Sequence, residues 1–238
     1  MIDINTIYPA FMGEVNRYGI GAPCTFVRLA GCNIRCYAEV LGSFCDTPEA
    51  LCFNRGKQML EEDIVKQCKE YGNTIVCLTG GEPLCQDVKP LLKLLVDYGF
   101  DVVIETNGTR SIKPFQMDGV SFVVDCKSTS TGYKNKMVEE NWLNLSHGDF
   151  LKFIIYDEKD YKDFLEWYNS HDDYWVRGVH LAAGVFWGSK ITYDWLLRKI
   201  QADGIPAYLN MQTHKMMCLY DKYKDDENFS KLFIPKEL

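Results

Sequence analysis

The feature that most constrains this chain is an alternation. Apolar runs rich in β-branched and aromatic residues recur at 25–30, 74–79, 102–106, 120–126, 150–156, 178–183 and 207–211, with helix-patterned stretches between several of them. Strands separated by helices predict parallel βαβ units, because a parallel neighbour needs a crossover. The unbroken apolar runs Val102-Val103-Ile104 and Phe122-Val123-Val124 fit strands covered on both faces. Among the helical stretches, 60–71 puts Ile64, Val65 and Cys68 on one face. Asp87 is placed to cap a helix through Tyr98 that ends at Gly99, and Asp157 or Asp160 starts one through Tyr168. Thr192 caps one through Ala202, closed by Gly204 and Pro206. The stretch 128–148 is less regular and predicts a lid or a short helix. The pattern predicts an α/β fold, a full or partial parallel βα barrel, with an open doubly wound sheet as the rival. Residues 1–238 read as a single domain with a C-terminal tail from about residue 216.

Either architecture puts reactive groups beyond the C-terminal ends of the strands. Polar or glycine-rich sequence follows the strands at Gly31-Cys32, Gly80-Gly81-Glu82-Pro83, Asn107-Gly108-Thr109, Lys127-Ser128 and Gln212-Thr213-His214-Lys215. One such end means little, but several on one rim make a site.

The net charge of −7 argues against a nucleic-acid binder held by phosphate contacts and favours a small-molecule substrate. No apolar run is long enough to span a bilayer, and the start, MIDINTIYPA, has neither the basic nor the apolar region of a secretory signal. A cytoplasmic location is therefore expected, and the ten cysteines are not read as a disulfide framework. Cys68 and Cys77, in apolar-patterned segments, read as small buried hydrophobes. Cys32, Cys36 and Cys45 instead sit among glycine, asparagine, arginine and serine. A structural zinc site would need a fourth ligand, and His147, His171, His180 and His214 are scattered. Three thiolates on a four-iron cluster leave one iron open to a bound molecule, which is a catalytic arrangement. Cys24 and Cys52 are alternative third ligands; Cys45 ranks above Cys52 because Asp46-Thr47 follow it.

Here the sequence resembles a family. Cys32-Asn33-Ile34-Arg35-Cys36 after the first strand of the repeat is similar to the Cys-x3-Cys-x2-Cys loop of radical S-adenosylmethionine (SAM) enzymes. The second half departs, since residues 37–44 separate Cys36 from Cys45 where two residues are usual. Thr79-Gly80-Gly81-Glu82-Pro83 resembles the family segment that binds the SAM amino group. The stretch FMGEVNRYGIGAPCTFVRLAGC, Cys45-Asp46-Thr47, Glu105-Thr106-Asn107-Gly108-Thr109 and Met211-Gln212-Thr213-His214-Lys215 together resemble the 7-carboxy-7-deazaguanine synthase family over nearly the whole chain.

The resemblance implies a partial, distorted barrel of radical SAM type carrying a [4Fe–4S] cluster, SAM and Mg²⁺. It implies a lyase that uses a 5′-deoxyadenosyl radical to convert 6-carboxy-5,6,7,8-tetrahydropterin to 7-carboxy-7-deazaguanine and ammonia, in the 7-deazapurine branch leading to queuosine. A homodimer and an external one-electron donor such as flavodoxin or ferredoxin are implied as well. By position, the resemblance assigns Cys32, Cys36 and Cys45 to the cluster and Thr47 to Mg²⁺. It assigns Gly81, Glu82, Asp125, Cys126 and Lys127 to SAM, although only Lys127 matches the usual Ser-Pro-Lys segment in type. Phe11, Met12, Gly13, Glu14, Arg28, Thr79, Gln212 and His214 fall to the substrate. Met12 stands where Gln is common; the forked donors of Arg28 suit a carboxylate; Gln212 and His214 either face substrate or close the barrel. No catalytic side chain beyond cluster and SAM is expected. Another radical SAM enzyme, such as a glycyl-radical activase, would share the two SAM motifs but would not need Arg28, Thr47 or the Gln-Thr-His-Lys ending. An iron–sulfur electron-transfer or metal-binding module would need a fourth ligand.

Overall fold

The computed structural model describes residues 1–41, 45, 47–171, 178–189, 191–213 and 215–217. Its strands are β1 (Ile2–Phe11), β2 (Pro23–Leu29), β3 (Lys57–Met59), β4 (Ile75–Gly80), β5 (Asp101–Thr106), β6 (Val120–Cys126), β7 (Phe150–Ile155), β8 (His180–Val185) and β9 (Tyr208–Leu209). Its α-helices are α1 (Ala38–Leu41), α2 (Glu61–Tyr71), α3 (Lys89–Asp97), α4 (Asn141–Asn144), α5 (Glu158–Ser170) and α6 (Tyr193–Ala202). The strands form one sheet in the order β3-β1-β2-β4-β5-β6-β7-β8-β9. β1 runs antiparallel to β2 and β3, and every pairing from β2 through β9 is parallel. Apart from β3, which pairs on the outer side of β1, the spatial order from β2 onward follows the sequence order, so each parallel crossover steps the same way. A doubly wound sheet reverses its order at a switch point, and that rival is excluded. Among the described residues β9 does not pair with β3, so the barrel is partial and open.

Alternation along the strands builds two cores. Val76, Leu78, Val102, Ile104, Phe122, Val124, Leu151, Phe153, Leu181 and Ala183 pack with Ile64, Val65, Leu91, Leu92, Leu95, Phe164, Leu196 and Ile200 of the helices. The intervening residues Cys24, Ile75, Cys77, Val103, Val123, Phe150 and Ala182 face the other way and join Met12 and Val15 in a smaller inner core that has no helical member. The helices therefore cover one face, and the curled sheet encloses the other.

The helix ends follow their caps. The Asp157 carboxylate accepts from the amides of Lys159 and Asp160 at the start of α5, and the Thr192 hydroxyl accepts from Trp195 N–H at the start of α6. α2 stops at Gly72, whose φ of 74° is the left-handed closing conformation. α3 corrects the expectation for Asp87. It begins at Lys89 with Val88 at the N-cap and no side-chain cap, because Pro90, with fixed φ and no N–H, sets the first turn. The less regular stretch 128–148 holds two 3-10 turns and the short helix α4. No helix among the described residues is long and apolar enough to cross a membrane.

Candidate active site

A cavity of about 380 Å³ opens at the C-terminal ends of the strands. Its walls come from the same period of two that builds the inner core. Two residues beyond Cys77 stands Thr79, beyond Val103 Glu105, beyond Val123 Asp125, and beyond Phe150 Lys152; all four line the cavity. The inward face is thus apolar at one end of the barrel and polar at the other, with the transition one pleat wide.

The segment between β2 and β3 carries all three candidate cluster ligands. Cys32, Cys36 and Cys45 all line the cavity. Arg35 ties the loop together, its guanidinium donating to the carbonyls of Cys32, Ile34 and Leu51. Gly31 sits at φ 94°, in the left-handed region. Its carbonyl accepts from Glu82 N–H at 2.8 Å, and a Cβ on Gly81 would lie 2.1 Å from that oxygen. Glycine at 81 is therefore what lets the segment after β4 clamp the cysteine loop. Glu82 is fully buried, and its carboxylate accepts from Leu84 N–H at 3.0 Å, the Thr106 hydroxyl at 2.7 Å and Asn107 N–H at 2.6 Å. It joins the ends of β4 and β5; burial raises its carboxyl above the ordinary range, with those hydrogen bonds opposing.

Among the described residues no three His, Cys, Asp or Glu side chains converge on a single-ion site. The sulfurs instead surround shared space and receive N–H donors. Asn107 Nδ2 lies 3.7 Å from Cys32 Sγ, and Thr47 N lies 3.4 Å from Cys45 Sγ. Iron–sulfur clusters are held by thiolates and tuned by such donors, so the set fits a cluster and not a lone ion. Of the alternative ligands, Cys24 is fully buried in the inner core, where burial pushes its thiol up to about 12, and Cys52 is exposed and does not line the cavity. Tyr37, at φ 57°, turns inward after Cys36 and packs 4.4 Å from Phe186 and 6.0 Å from Tyr156, ring centre to ring centre. Residues 42–44 and Asp46 lie outside the described residues.

The opposite wall is a network of buried charge. Lys152 Nζ contacts Glu14 Oε2 at 2.6 Å and Asp125 Oδ1 at 3.0 Å, while Lys127 Nζ meets Asp125 Oδ2 at 2.7 Å. Burial alone would raise all three carboxyls. For Asp125 the attraction of Lys127 and Lys152 outweighs burial and holds the group below its usual range. For Glu14, Lys152 with hydrogen bonds from Gln212 and Asn210 outweighs burial and brings it to about 2. Glu105 accepts from the Thr79 hydroxyl at 2.9 Å; burial, with Glu14 and Asp125 adding to it, pushes its carboxyl up to about 6 against the pull of Lys152.

The remaining residues expected at the site divide by direction. Phe11, Gly13, Glu14, Arg28, Thr47, Thr79, Gly81, Asp125, Lys127 and Gln212 line the cavity. Arg28 Nε donates to Tyr8 O–H and its Nη1 to Thr47 Oγ1, each at 2.9 Å, and its guanidinium lies over the stacked Tyr8 and Phe26 rings. Thr47 makes no side-chain cap for the turn that follows it. Gln212 both lines the cavity and donates to Glu14 Oε1 at 2.8 Å, so facing the cavity and closing the barrel are the same act. Met12 is 1% exposed in the inner core and does not reach the cavity. Cys126 packs on the helical side of β6, since it is one residue out of phase with the inward Asp125. His214 lies outside the described residues. Sequence reasoning missed Lys152 as a site group, and carried Glu105 and Asn107 only within the Glu-Thr-Asn-Gly-Thr segment and the polar strand ends, with no role assigned to either. A lone lysine in the apolar run Phe150-Leu151-Lys152-Phe153-Ile154 was the available signal for Lys152.

The family model of the radical SAM superfamily matches residues 27–128, the part that carries the cysteine loop and the Gly-Gly-Glu-Pro clamp. Over 91% of its length the chain is 35% identical to a 7-carboxy-7-deazaguanine synthase of Koribacter versatilis, covering 96% of that protein. Over 90% of its length it is 32% identical to one of Thermoplasma acidophilum, again covering 96%. The solved structure of QueE from Escherichia coli superposes with a TM-score of 0.66 at 22% identity, over 88% of this chain and 93% of that one, and so shares the fold.

Proposed function

Because the chain belongs to the 7-carboxy-7-deazaguanine synthase family, we propose that it makes 7-carboxy-7-deazaguanine and ammonia from 6-carboxy-5,6,7,8-tetrahydropterin, as a radical SAM lyase of the 7-deazapurine (queuosine precursor) pathway. The observation that carries this reading is the single cavity lined at once by the three cysteines, the glycine clamp, and a wall of carboxylates, lysines and Arg28. A reduced [4Fe–4S] cluster, when bound, supplies the electron that cleaves SAM. Cys32, Cys36 and Cys45 are its ligands in this reading, and Asn107 and Thr47 N–H hold two of the sulfurs in place. Gly81 offers backbone to SAM, Lys127 and Asp125 offer charge to its polar end, and Glu82 acts from behind by fixing Asn107 and Leu84. Arg28 is aimed to receive the pterin carboxylate, and Thr47 Oγ1 beside it offers a hard oxygen to Mg²⁺. The Tyr8 and Phe26 rings that hold Arg28 also fix its direction. An external one-electron donor is required, and a homodimer is part of the same reading.

Holding the reacting groups close and away from water is the protein's share of such chemistry. The enclosing sheet does this by stacking the cavity on an apolar inner core. The test is anaerobic incubation of the iron-reconstituted protein with SAM, dithionite and 6-carboxy-5,6,7,8-tetrahydropterin, read by mass spectrometry. 7-Carboxy-7-deazaguanine should appear with the pterin and not without it. SAM cleavage that ignores the pterin would point to another radical SAM enzyme, such as a glycyl-radical activase.

A further inference from the structure

Lys152 has an unusual position for a lysine. It stands in the middle of β7 between Leu151 and Phe153, 6% exposed, and pairs in register with Asp125 on β6. Its ammonium reaches across to Glu14, which arrives on the segment after β1. Asn210 and Gln212, from beyond β9, grip the same carboxylate: Oε2 takes Lys152 at 2.6 Å and Asn210 at 3.0 Å, and Oε1 takes Gln212 at 2.8 Å. An ionised carboxylate has about four acceptor places. Among the described residues three are filled by protein and one on Oε1 is not, and Glu14 lines the cavity. The 2-amino-4-oxo edge of a pterin presents adjacent N–H donors that suit such an oxygen.

We propose that Lys152 is a positioning residue for the pterin: clamped between Glu14 and Asp125, its ammonium keeps the Glu14 carboxylate charged and aimed so that Oε1 receives the N–H edge of the ring. The ligand in this statement rests on the function proposed above; the clamp itself does not. The charged groups around Glu14 make the dependence sharp. Glu105 faces it from β5 and Asp125 from β6, both carboxyls; Lys127 is bound to Asp125, Arg28 is engaged with Tyr8 and Thr47, Lys215 is bound to Gln212, and the Tyr193 phenol lies near from α6. The thiols of Cys24 and Cys77 lie beneath and bring no cation. With Lys152 gone, buried carboxyls crowd one another and cannot all stay ionised.

Two readouts test this. In ligand-free protein carrying ¹³C at the glutamate carboxyl, the Glu14 resonance, assigned with Glu14→Gln, should stay that of a carboxylate from about pH 5 to 9 in the wild type, because its titration lies far below. In Lys152→Met it should titrate within that window, shifted upward by about three units or more. In the reconstituted protein, the affinity for fluorescent 6-carboxypterin should fall at least about tenfold in Lys152→Met at pH 6.5 and recover as the pH rises and Glu14 ionises. A Glu14 that stays ionised in Lys152→Met, or an affinity loss equal at every pH, overturns the proposal. Should Lys152→Met fail to fold, Lys152→Arg carries the test: an ionised Glu14 with pH-independent binding is expected, and an ionised Glu14 with no binding overturns it. Wild-type protein that does not bind 6-carboxypterin would count against the pterin reading, while the carboxyl titration still decides the clamp.

Discussion

At Glu105, burial and charge act against each other, and the outcome is visible in stability. Its folded carboxyl titrates at about 6 and its ordinary value is 4.5, so between those values the folded chain holds a proton that the unfolded chain has released. Stability therefore falls as the pH rises through that window, by about 2 kcal/mol. Glu14 works in the opposite sense and in another window, losing stabilisation only as the pH falls from 4.5 towards about 2. Glu105→Gln should remove the first effect. Its Tm relative to wild type should improve by about 4 °C or more between pH 4.5 and 7, measured by scanning calorimetry; an offset that ignores pH would contradict the assignment. The cysteines make a second residue-scale case. Cys45→Ala should lose most of the iron taken up on reconstitution, whereas Cys52→Ala, at an exposed position outside the cavity, should keep it. Iron analysis with electron paramagnetic resonance reads both. The cysteines were legible in sequence because polar neighbours set them apart. Lys152 and the role of Glu105 were not, because a period of two says that faces alternate without saying which face is enclosed.

Elements were most readable where a side chain does a local job. Asp157 and Thr192 cap α5 and α6 as their sequence positions indicate. Asp87 does not cap α3, because Pro90 moves the start of that helix beyond its reach. Asp157→Ala should cost about 1 kcal/mol and about 3 °C in Tm, while Asp87→Ala should stay within about 1 °C of wild type. Equal effects would mean that the caps were wrongly placed. β1 was invisible as a strand: Asp3, Asn5 and Pro9 break its apolar pattern. Each is accommodated by tertiary structure. The Asp3 carboxylate accepts from Asn54 N–H at 2.6 Å, and Pro9 lies past the three residues that pair with β3, on an edge with no strand partner among the described residues, where no N–H is missed.

For the whole molecule, the alternation of strands and helices indicated parallel units, and the choice between barrel and doubly wound sheet lay in strand order. That order is set by pairings between residues far apart in sequence, which no local pattern contains. Its consequence is functional. Because the parallel strands β2 and β4 to β9 follow one another in a single direction, the polar ends of five of them, β2, β4, β5, β6 and β7, meet around one cavity instead of being divided between two sides of a sheet. The central claim is that thiolates, glycine clamp and charged wall serve one reaction in that space. The most direct measurement uses 6-carboxy-5,6,7,8-tetrahydropterin deuterated at its ring carbons, with reconstituted protein, SAM and dithionite, and follows the label by mass spectrometry. Deuterium appearing in 5′-deoxyadenosine or, because the conversion has no net redox change and the hydrogen is returned, in recovered SAM, together with 7-carboxy-7-deazaguanine, is the predicted result. Unlabelled 5′-deoxyadenosine with no deazaguanine product would contradict the account.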